Sequence, residues 1–264
     1  MPPTEPTNES PADGRPPPSL AGSKWRIAGW TAFWTALGLV VVALLLPAFQ
    51  GARSGVRKPP TFQAVQQLGL AAHNFHAQHN SFPPHVGKTS ISGPGNPAPS
   101  WLTALLPHVD ENKLWTAYDG TKRFDDPANA AVVGTEVEAF LSPHEDWTDR
   151  RSEGGFGLSH FAGNVHVLGE DGARRISACS DGTVNTVLAG HVGGFPKPWA
   201  DPLNLRDPAA GLGTAPQQFG GPYEGGTVIV MVDGSTHFLS EDVDPEVLAA
   251  LGTPNGGEVI DVAF

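Results

Sequence analysis

The sequence has only one cysteine, Cys179, in 264 residues. A single thiol excludes a disulfide within the chain, so an exported domain of this sequence would be held together by its hydrophobic core alone. An isolated cysteine is more often a small buried side chain than a nucleophile. We therefore expect Cys179 to lie in the core.

Basic residues are also scarce, with 16 Lys and Arg against 27 Asp and Glu and a formal net charge of −11. Nucleic-acid binding needs a basic surface that neutralises phosphates, and this balance argues against it. Two catalytic motifs are missing as well. Ser159 and His160 stand outside any Gly-x-Ser-x-Gly sequence, and the glycine-rich run at 154–157 lacks the lysine of a phosphate-binding loop. We therefore predict neither a nucleic-acid partner nor an enzyme.

Charged residues are absent from Ile27 to Gln50. A bilayer core is roughly 30 Å thick and is spanned by a helix of about 20 apolar residues. Trp25, Trp30 and Trp34 crowd the N-terminal end, where amphipathic rings favour the headgroup level. The run therefore predicts a single transmembrane helix. The alternatives are a buried helix of a soluble domain and a cleaved secretory signal, although the run is long for a signal core and no small-x-small cleavage site closes it.

Composition divides the chain into three segments. Residues 1–23 are rich in Pro, Ser and Thr without an apolar period, which predicts a disordered tail. Residues 24–58 contain the transmembrane helix and its basic flank. Residues 59–264 are predicted to form one exported domain, and it should be rich in loops because the chain has 32 Gly and 26 Pro.

Apolar spacing predicts an α+β domain with short helices and a mainly antiparallel sheet. Six residues at helical spacing predict a helix that buries one face and ends at Asn80; they are Phe62, Val65, Leu68, Ala72, Phe75 and His79. Further short helices are predicted within 101–109 and 128–141. After Ser142, apolar runs bounded by turn residues predict strands, namely VHVL at 165–168, TVLAG at 186–190, TVIVMV at 227–232 and a last strand at 258–264.

The segment 227–240, TVIVMVDGSTHFLS, is the clearest local pattern. Asp233 and Gly234 tolerate the backbone angles of a tight turn, so the two flanking runs should pair as a hairpin. Strand alternation then places two sets of side chains on opposite faces, with Val228, Val230 and Val232 on one and Thr227, Ile229 and Met231 on the other. Asp244 followed by Pro245 predicts the start of a helix that ends at Gly252.

Three histidines, His73, His76 and His79, recur every third residue on the first predicted helix. His73 and His76 lie within about one turn of each other and could share a metal ion. A zinc or nickel site wants three or four converging ligands, and this segment supplies no carboxylate. Histidines that pack under the adjoining loop are the simpler interpretation, so we assign no metal and no cofactor and keep the three as candidates.

Acidic residues form two further patterns. Asp181-Gly182 and Asp233-Gly234 would suit carboxylate sites, but turn chemistry explains both without a substrate. The cluster of Glu241, Asp242, Asp244 and Glu246 lacks the alternating ligands and central glycine of a calcium loop. We interpret this cluster as a solvated helix start, because acids favour a helix N-terminus.

Six motifs in order carry a family resemblance: LLLPA at 44–48, LGLAAHNFH at 68–76, SFPP at 81–84, SWLTALLPHVDENKLW at 100–115, SDGTVNTVLAG at 180–190 and VDGSTHFLSEDVDPEVLAAL at 232–251. With them the chain resembles the planctomycete-type pseudopilin-like family, in which a prepilin-like N-terminus precedes domain of unknown function 1559. The resemblance covers nearly everything after Gly29.

The resemblance implies a single-pass protein of the inner (cytoplasmic) membrane, with a cytoplasmic N-terminus and a pilin-like domain outside the cytoplasm. Its partners would be the lipid bilayer and other pilin-like subunits or secretion machinery of the type II secretion or type IV pilus kind. The function it implies is structural or related to assembly, without catalysis. Prepilin-type processing would fall between Gly29 and Trp30.

Two departures from the family pattern stand out. Aligned on Gly29, the chain has Trp34 where prepilin-type segments carry a Glu that is thought to pair with a neighbouring subunit's N-terminal amine. Many relatives carry cysteines where this chain has Thr61 and Ser142, so that a bridge between them would be lost as a pair. The first departure leaves open an alternative, a solitary membrane-anchored binding module that is neither processed nor polymerised.

Overall fold

The computed structural model describes residues 60–83, 99–144, 148–169, 175–221 and 223–258. All of them lie in a compact unit that runs from Lys58 to Phe264. The predicted tail, the transmembrane helix within 24–58 and most of the last predicted strand lie outside the described residues, so these segments stay predictions. Within the described residues, no helix has the length and apolar character needed to cross a membrane.

The described residues form a mixed α+β domain, which confirms the predicted fold class. Its helices are α1 (Pro60–His79), α2 (Trp101–Leu105), α3 (Asn112–Ala117), α4 (Ala130–Val133), α5 (Val165–Leu168) and α6 (Pro245–Gly252). Single 3₁₀ turns cover Leu106–His108, Pro127–Asn129, Glu138–Phe140, Ile176–Ala178 and Pro208–Ala210.

The strands are β1 (Leu158–Ser159), β2 (Phe161–Asn164), β3 (Val187–His191), β4 (Lys197–Pro198), β5 (Leu205–Arg206), β6 (Gly226–Met231) and β7 (Thr236–Ser240). Five of them form the central sheet in the order β5-β2-β3-β6-β7, and β1 pairs with β4. All neighbours in the central sheet are antiparallel except β2 and β5. The predicted, mainly antiparallel sheet is therefore confirmed.

Helix α1 lies on one face of the central sheet and contacts β3, β6 and β7. Its buried face includes the predicted Val65, Leu68, Ala72 and Phe75. The helix ends at Asn80, whose φ is +54° and whose N–H donates to the carbonyl of His76 at 2.7 Å. Asparagine tolerates this left-handed conformation at a helix end. The helix and its predicted end are confirmed.

Strand β6 is buried along its whole length because a helix covers each face of the sheet. Val228, Val230 and Val232 belong to the hydrophobic cluster that includes α1. Ile229 and Met231 belong to a second cluster with Leu248 and Leu251 of α6. The predicted division of side chains between the two faces is confirmed.

The predicted hairpin and final helix are also present. Strands β6 and β7 pair from Gly226 with Ser240 to Val230 with Thr236, and Gly234 in the turn has φ +88°. The Asp244 carboxylate accepts the N–H of Glu246 at 2.8 Å and caps α6. Glycine and aspartate thus take the turn and capping roles that the sequence predicts.

Two predictions of secondary structure are corrected. The run VHVL at 165–168 is helix α5 rather than a strand, because the Asn164 side chain at the end of β2 accepts the N–H of His166 at 3.0 Å and starts a helical turn. The region 128–141 is not one helix. Helix α4 ends at Gly134, and a separate 3₁₀ turn follows at Glu138–Phe140.

Candidate functional site

The three histidines of α1 contact different neighbours. The His73 ring meets Phe82 edge-on with centroids 5.7 Å apart, whereas the His79 ring stacks on Phe75 at 4.2 Å. The His76 Nε2 accepts the N–H of Ile176 at 3.3 Å. Burial, helped by the charge of His73, lowers the pKa of His76, which favours the neutral ring that accepts this hydrogen bond. Within the part of the chain that the structure describes, no three His, Cys, Asp or Glu side chains are grouped to hold a metal ion.

A groove of about 410 Å³ runs between α1 and the β6–β7 turn. Gln66, Gln67, Leu70 and His73 line it from the helix, and Asp233 and Gly234 line it from the turn. The backbone of Gly234 has φ +88°, which favours glycine, and a Cβ added there would lie at an ordinary contact distance of 3.5 Å from the His73 ring. The lining of the groove thus combines two side-chain amides, a carboxylate and the exposed Leu70 side chain.

The candidate carboxylates bond to backbone groups near them. The Asp233 carboxylate accepts both the N–H and the hydroxyl of Ser235, at 2.8 and 2.6 Å. The Asp181 carboxylate accepts the N–H groups of Gly256 and Gly257 at 2.6 and 3.0 Å. The Asp233 carboxylate therefore stabilises its own turn, as the turn interpretation predicts, whereas the Asp181 carboxylate fastens the distant segment at Gly256 and Gly257.

The acidic cluster of Glu241, Asp242, Asp244 and Glu246 is exposed and surrounds the start of α6. Asp244 is the N-cap, and Glu246 lies in the first turn, where a negative charge is favourable. The helix-start interpretation of these residues is thus confirmed.

The burial of two histidines was not predicted from the sequence. His160 and His191 are fully buried, with ring centroids 6.4 Å apart. The His160 Nδ1 accepts the N–H of Ser142 at 2.9 Å, and its Nε2 donates to the carbonyl of Asp149 at 2.7 Å. The neighbouring Ser159 hydroxyl instead donates to the carbonyl of Phe161 at 2.8 Å. Ser159 and His160 therefore bond to separate partners.

The imidazole of His191 donates from Nδ1 to the carbonyl of Val192 at 2.8 Å. Burial lowers the pKa of His191 to about 3, and burial lowers the pKa of His160 as well. Both rings are therefore neutral near pH 7. Nothing in the sequence marks them, because each depends on a strand pairing between distant residues.

Arg206 is a third buried polar residue that the sequence does not reveal. Only 1 % of it is exposed. Its guanidinium donates to the carbonyls of Leu205 and Phe195 at 2.9 and 3.1 Å. The Phe195 backbone has φ +50°, an unusual value for a large residue. Arg206 thus helps to fix a strained loop that presents the Phe195 ring to solvent.

Other candidates fall into two groups. Cys179 is buried in the main hydrophobic cluster, as expected. Gly29, Trp30 and Trp34 lie outside the described residues, so the structure is silent on processing.

Comparison with known proteins places the chain in a family. No curated protein and no solved structure matches it. A family described as "Protein of unknown function (DUF1559)" matches residues 50–206, more than half of the chain. The matched region covers α1, the two-stranded pair and the central strands β2, β3 and β5, but not the β6–β7 hairpin. The chain therefore belongs to this family of proteins of unknown function.

Proposed function

We propose that the protein is a membrane-anchored, pilin-like structural or assembly protein. The observation that carries this proposal is the order of its parts. An uncharged run at 27–50 and a basic flank directly precede α1, and α1 packs along an antiparallel sheet. In sequence order, a predicted membrane anchor followed by a helix that packs on a sheet is a pilin-like arrangement.

In this proposal the function is mechanical rather than catalytic. The apolar run holds the chain in the inner membrane by burying roughly 20 apolar residues in lipid. The domain outside the cytoplasm then presents a surface to other pilin-like subunits or to secretion machinery. The described histidines and aspartates support such a mechanical role, because their hydrogen bonds hold the loops of the domain in place.

A second candidate is a solitary anchored binding module that is neither processed nor polymerised. Trp34 favours it, because an indole cannot supply the negative charge that is thought to pair subunits. The groove between α1 and the β6–β7 turn offers such a module a surface for a ligand.

Membrane fractionation tests the anchor. We expect the full chain to stay in the membrane pellet after alkaline carbonate extraction. Replacement of Val41 and Leu45 by Arg should release it, since charges near a helix centre oppose insertion by about 2.5–3.5 kcal/mol each. A wild-type chain found in the soluble fraction would contradict both the proposal and its alternative.

Mass spectrometry of the purified protein separates the two candidates. A processed subunit begins at Trp30, whereas a solitary module keeps the residues before it. Gly29→Leu should block processing, and Gly38→Leu in the same apolar run is the matched control that should not. Cross-linking in membranes then shows whether the processed form makes oligomers.

A further inference from the structure

The last strand of the central sheet has an open side. β7 pairs with β6 on one side, and among the described residues no strand pairs with its other side. An unpaired strand edge is a ready template for a further strand, and proteins normally protect it with charges, proline or a covering loop. β7 reads THFLS and contains neither Lys, Arg, Asp, Glu nor Pro.

The hydrogen-bond pattern shows which groups face outward. The N–H of Met231 donates to the carbonyl of Ser235, so the pairs Ile229 with His237 and Thr227 with Leu239 are the hydrogen-bonded ones. The N–H and C=O groups of Thr236 and Phe238 therefore point away from β6. Among the described residues, no backbone group donates to or accepts from these outward groups.

Apolar side chains lie beside this edge. Phe238 is opposite Val228 and so projects on the same face of the sheet as α1. Its ring is 43 % exposed, and Leu70 on α1 is 62 % exposed. The groove next to the β6–β7 turn continues the surface, because Leu70 and Asp233 both line it. A strand that paired with β7 would therefore find apolar contacts for alternate side chains.

Apart from histidine and tyrosine, the ionisable residues of this part of the chain are acidic. From Asp207 to Phe264 the sequence has nine Asp or Glu and no Lys or Arg. α1 contains no Lys, Arg, Asp or Glu. Asp233 lies at one end of β7, and Glu241 and Asp242 lie at the other, all exposed. This arrangement complements a segment with basic residues at its ends and an uncharged middle.

We propose that the outer edge of β7 binds an extended segment of a partner protein by strand addition, with Lys or Arg residues flanking an uncharged, β-branched core. The outward N–H and C=O groups of Thr236 and Phe238 supply the main-chain hydrogen bonds, and Phe238 and Leu70 contact alternate side chains. A second copy of this chain fits less well, because pairing two β7 strands brings acidic ends together. The inference goes beyond the proposed function and holds for a filament subunit and for a solitary module alike.

Peptide binding to the full chain in detergent micelles tests the proposal. The probe is a fluorescein-labelled peptide with Lys at both ends of a Thr-Val-Thr-Val-Thr core. We expect saturable binding, together with slowed amide exchange at Thr236 and Phe238. The same peptide with alternate amides N-methylated should not bind, because it cannot complete the ladder. A peptide with Glu ends should bind about tenfold more weakly or worse.

Matched variants locate the site. Glu241→Lys should weaken binding of the probe about fivefold at low ionic strength, whereas the same change at exposed Glu153, outside the hairpin, should not. Phe238→Pro removes one outward N–H and leaves the pairing with β6 intact, so it should abolish binding. Circular dichroism checks that Phe238→Pro is folded. If it is not, the comparison of Glu241→Lys with the Glu153 control decides whether the probe binds at this edge.

Three results would overturn the proposal. The first is no saturable binding of the probe up to about 1 mM, the weak end of specific recognition. The second is equal binding of the N-methylated peptide, which would show that charge alone attracts the probe. The third is a protection of the Thr236 and Phe238 amides from exchange that increases with protein concentration in the absence of peptide. This result would assign the edge to a second copy.

Discussion

At the scale of single residues, buried polar side chains fasten the loops of this domain to its sheet. Asn164 is fully buried at the end of β2. Its amide group donates to the carbonyls of Val187 and Gly252, both at 2.7 Å, while its oxygen accepts the N–H of His166. One side chain thus joins β2, β3, α5 and α6. Buried amides are tolerated only when they are bonded in this way.

The buried His191 makes stability depend on pH. Its pKa in the folded protein is about 3, below the usual 6.5, so between these values the unfolded chain binds a proton that the folded chain does not. The contribution of this group to stability is therefore complete above the unfolded value and is lost as the pH falls. The free energy of unfolding should therefore change with pH by up to about 1.4 kcal/mol per pH unit because of this group.

Chemical denaturation between about pH 7 and about pH 5 measures this slope. We expect the free energy of unfolding to decrease toward the acid end, and the decrease to be smaller in His191→Asn, which keeps a donor near the position of Nδ1. The comparison uses the slope rather than the absolute stability, because the substitution itself changes packing. Equal slopes in the two proteins would contradict the prediction.

At the scale of elements, α1 is seated unusually close to β6. A Cβ added to Gly69 would lie 2.6 Å from a methyl group of Val230. Alanine is favoured over glycine in a helix by roughly 1 kcal/mol, but overpacking of a core costs about 1–3 kcal/mol. We therefore expect Gly69→Ala to lower the free energy of unfolding, as measured by urea denaturation.

Two further variants test whether the contact between position 69 and Val230 causes this loss of stability. Gln67→Ala, at an exposed position of the same helix, should be nearly neutral. The double variant Gly69→Ala with Val230→Ala should lose less stability than the sum of the two single losses, because Val230→Ala removes the methyl group that clashes. A double variant whose loss equals the sum of the two single losses would show that the glycine matters for another reason.

The start of α1 offers a test of the family resemblance. Thr61 and Ser142 are both buried, and α1 packs against the 3₁₀ turn at Glu138–Phe140, just before Ser142. The Thr61 hydroxyl oxygen is buried and bonds to no described group. We predict that Thr61→Cys combined with Ser142→Cys forms a disulfide under oxidising conditions. It should raise the free energy of unfolding by up to about 4 kcal/mol.

Thiol titration and thermal unfolding with and without reductant measure the outcome. The control pair is Thr61→Cys with Ser81→Cys. Ser81 is buried just beyond the other end of the same helix, about 30 Å away at the usual rise per residue, and cannot bridge to position 61. Two reactive thiols in the Thr61–Ser142 pair after oxidation would count against the predicted proximity.

Sequence reasoning succeeded where the signal is local. The β6–β7 hairpin follows from Asp233 and Gly234, and α6 follows from its capping residues and its stop at Gly252. It failed at 165–168, where a capping side chain on the preceding strand decides between strand and helix. The parallel pairing of β2 with β5 and the burial of His160, His191 and Arg206 depend on contacts between distant parts of the chain, which periodicity does not encode.

At the scale of the whole molecule, the two hydrophobic clusters share one strand. Alternate side chains of β6 belong to the cluster under α1 and to the cluster under α6. Neither cluster can therefore unfold without exposing the other to solvent. We expect the domain to unfold in a single cooperative transition. The unfolding transition followed by tryptophan fluorescence, to which the buried Trp101 and Trp199 contribute among seven tryptophans, should coincide with the transition followed by far-ultraviolet circular dichroism. Two separate midpoints would show that the clusters are independent.

The position of β6 between two helices also governs the order of assembly during translation. α1 leaves the ribosome early, but the strand that covers its buried face is among the last segments to be made. Until Gly226–Met231 has been synthesised, Val65, Leu68 and Phe75 lack one of the strands that they pack against. A nascent chain arrested before β6 therefore leaves part of the apolar face of this helix exposed, which makes it a substrate for chaperones.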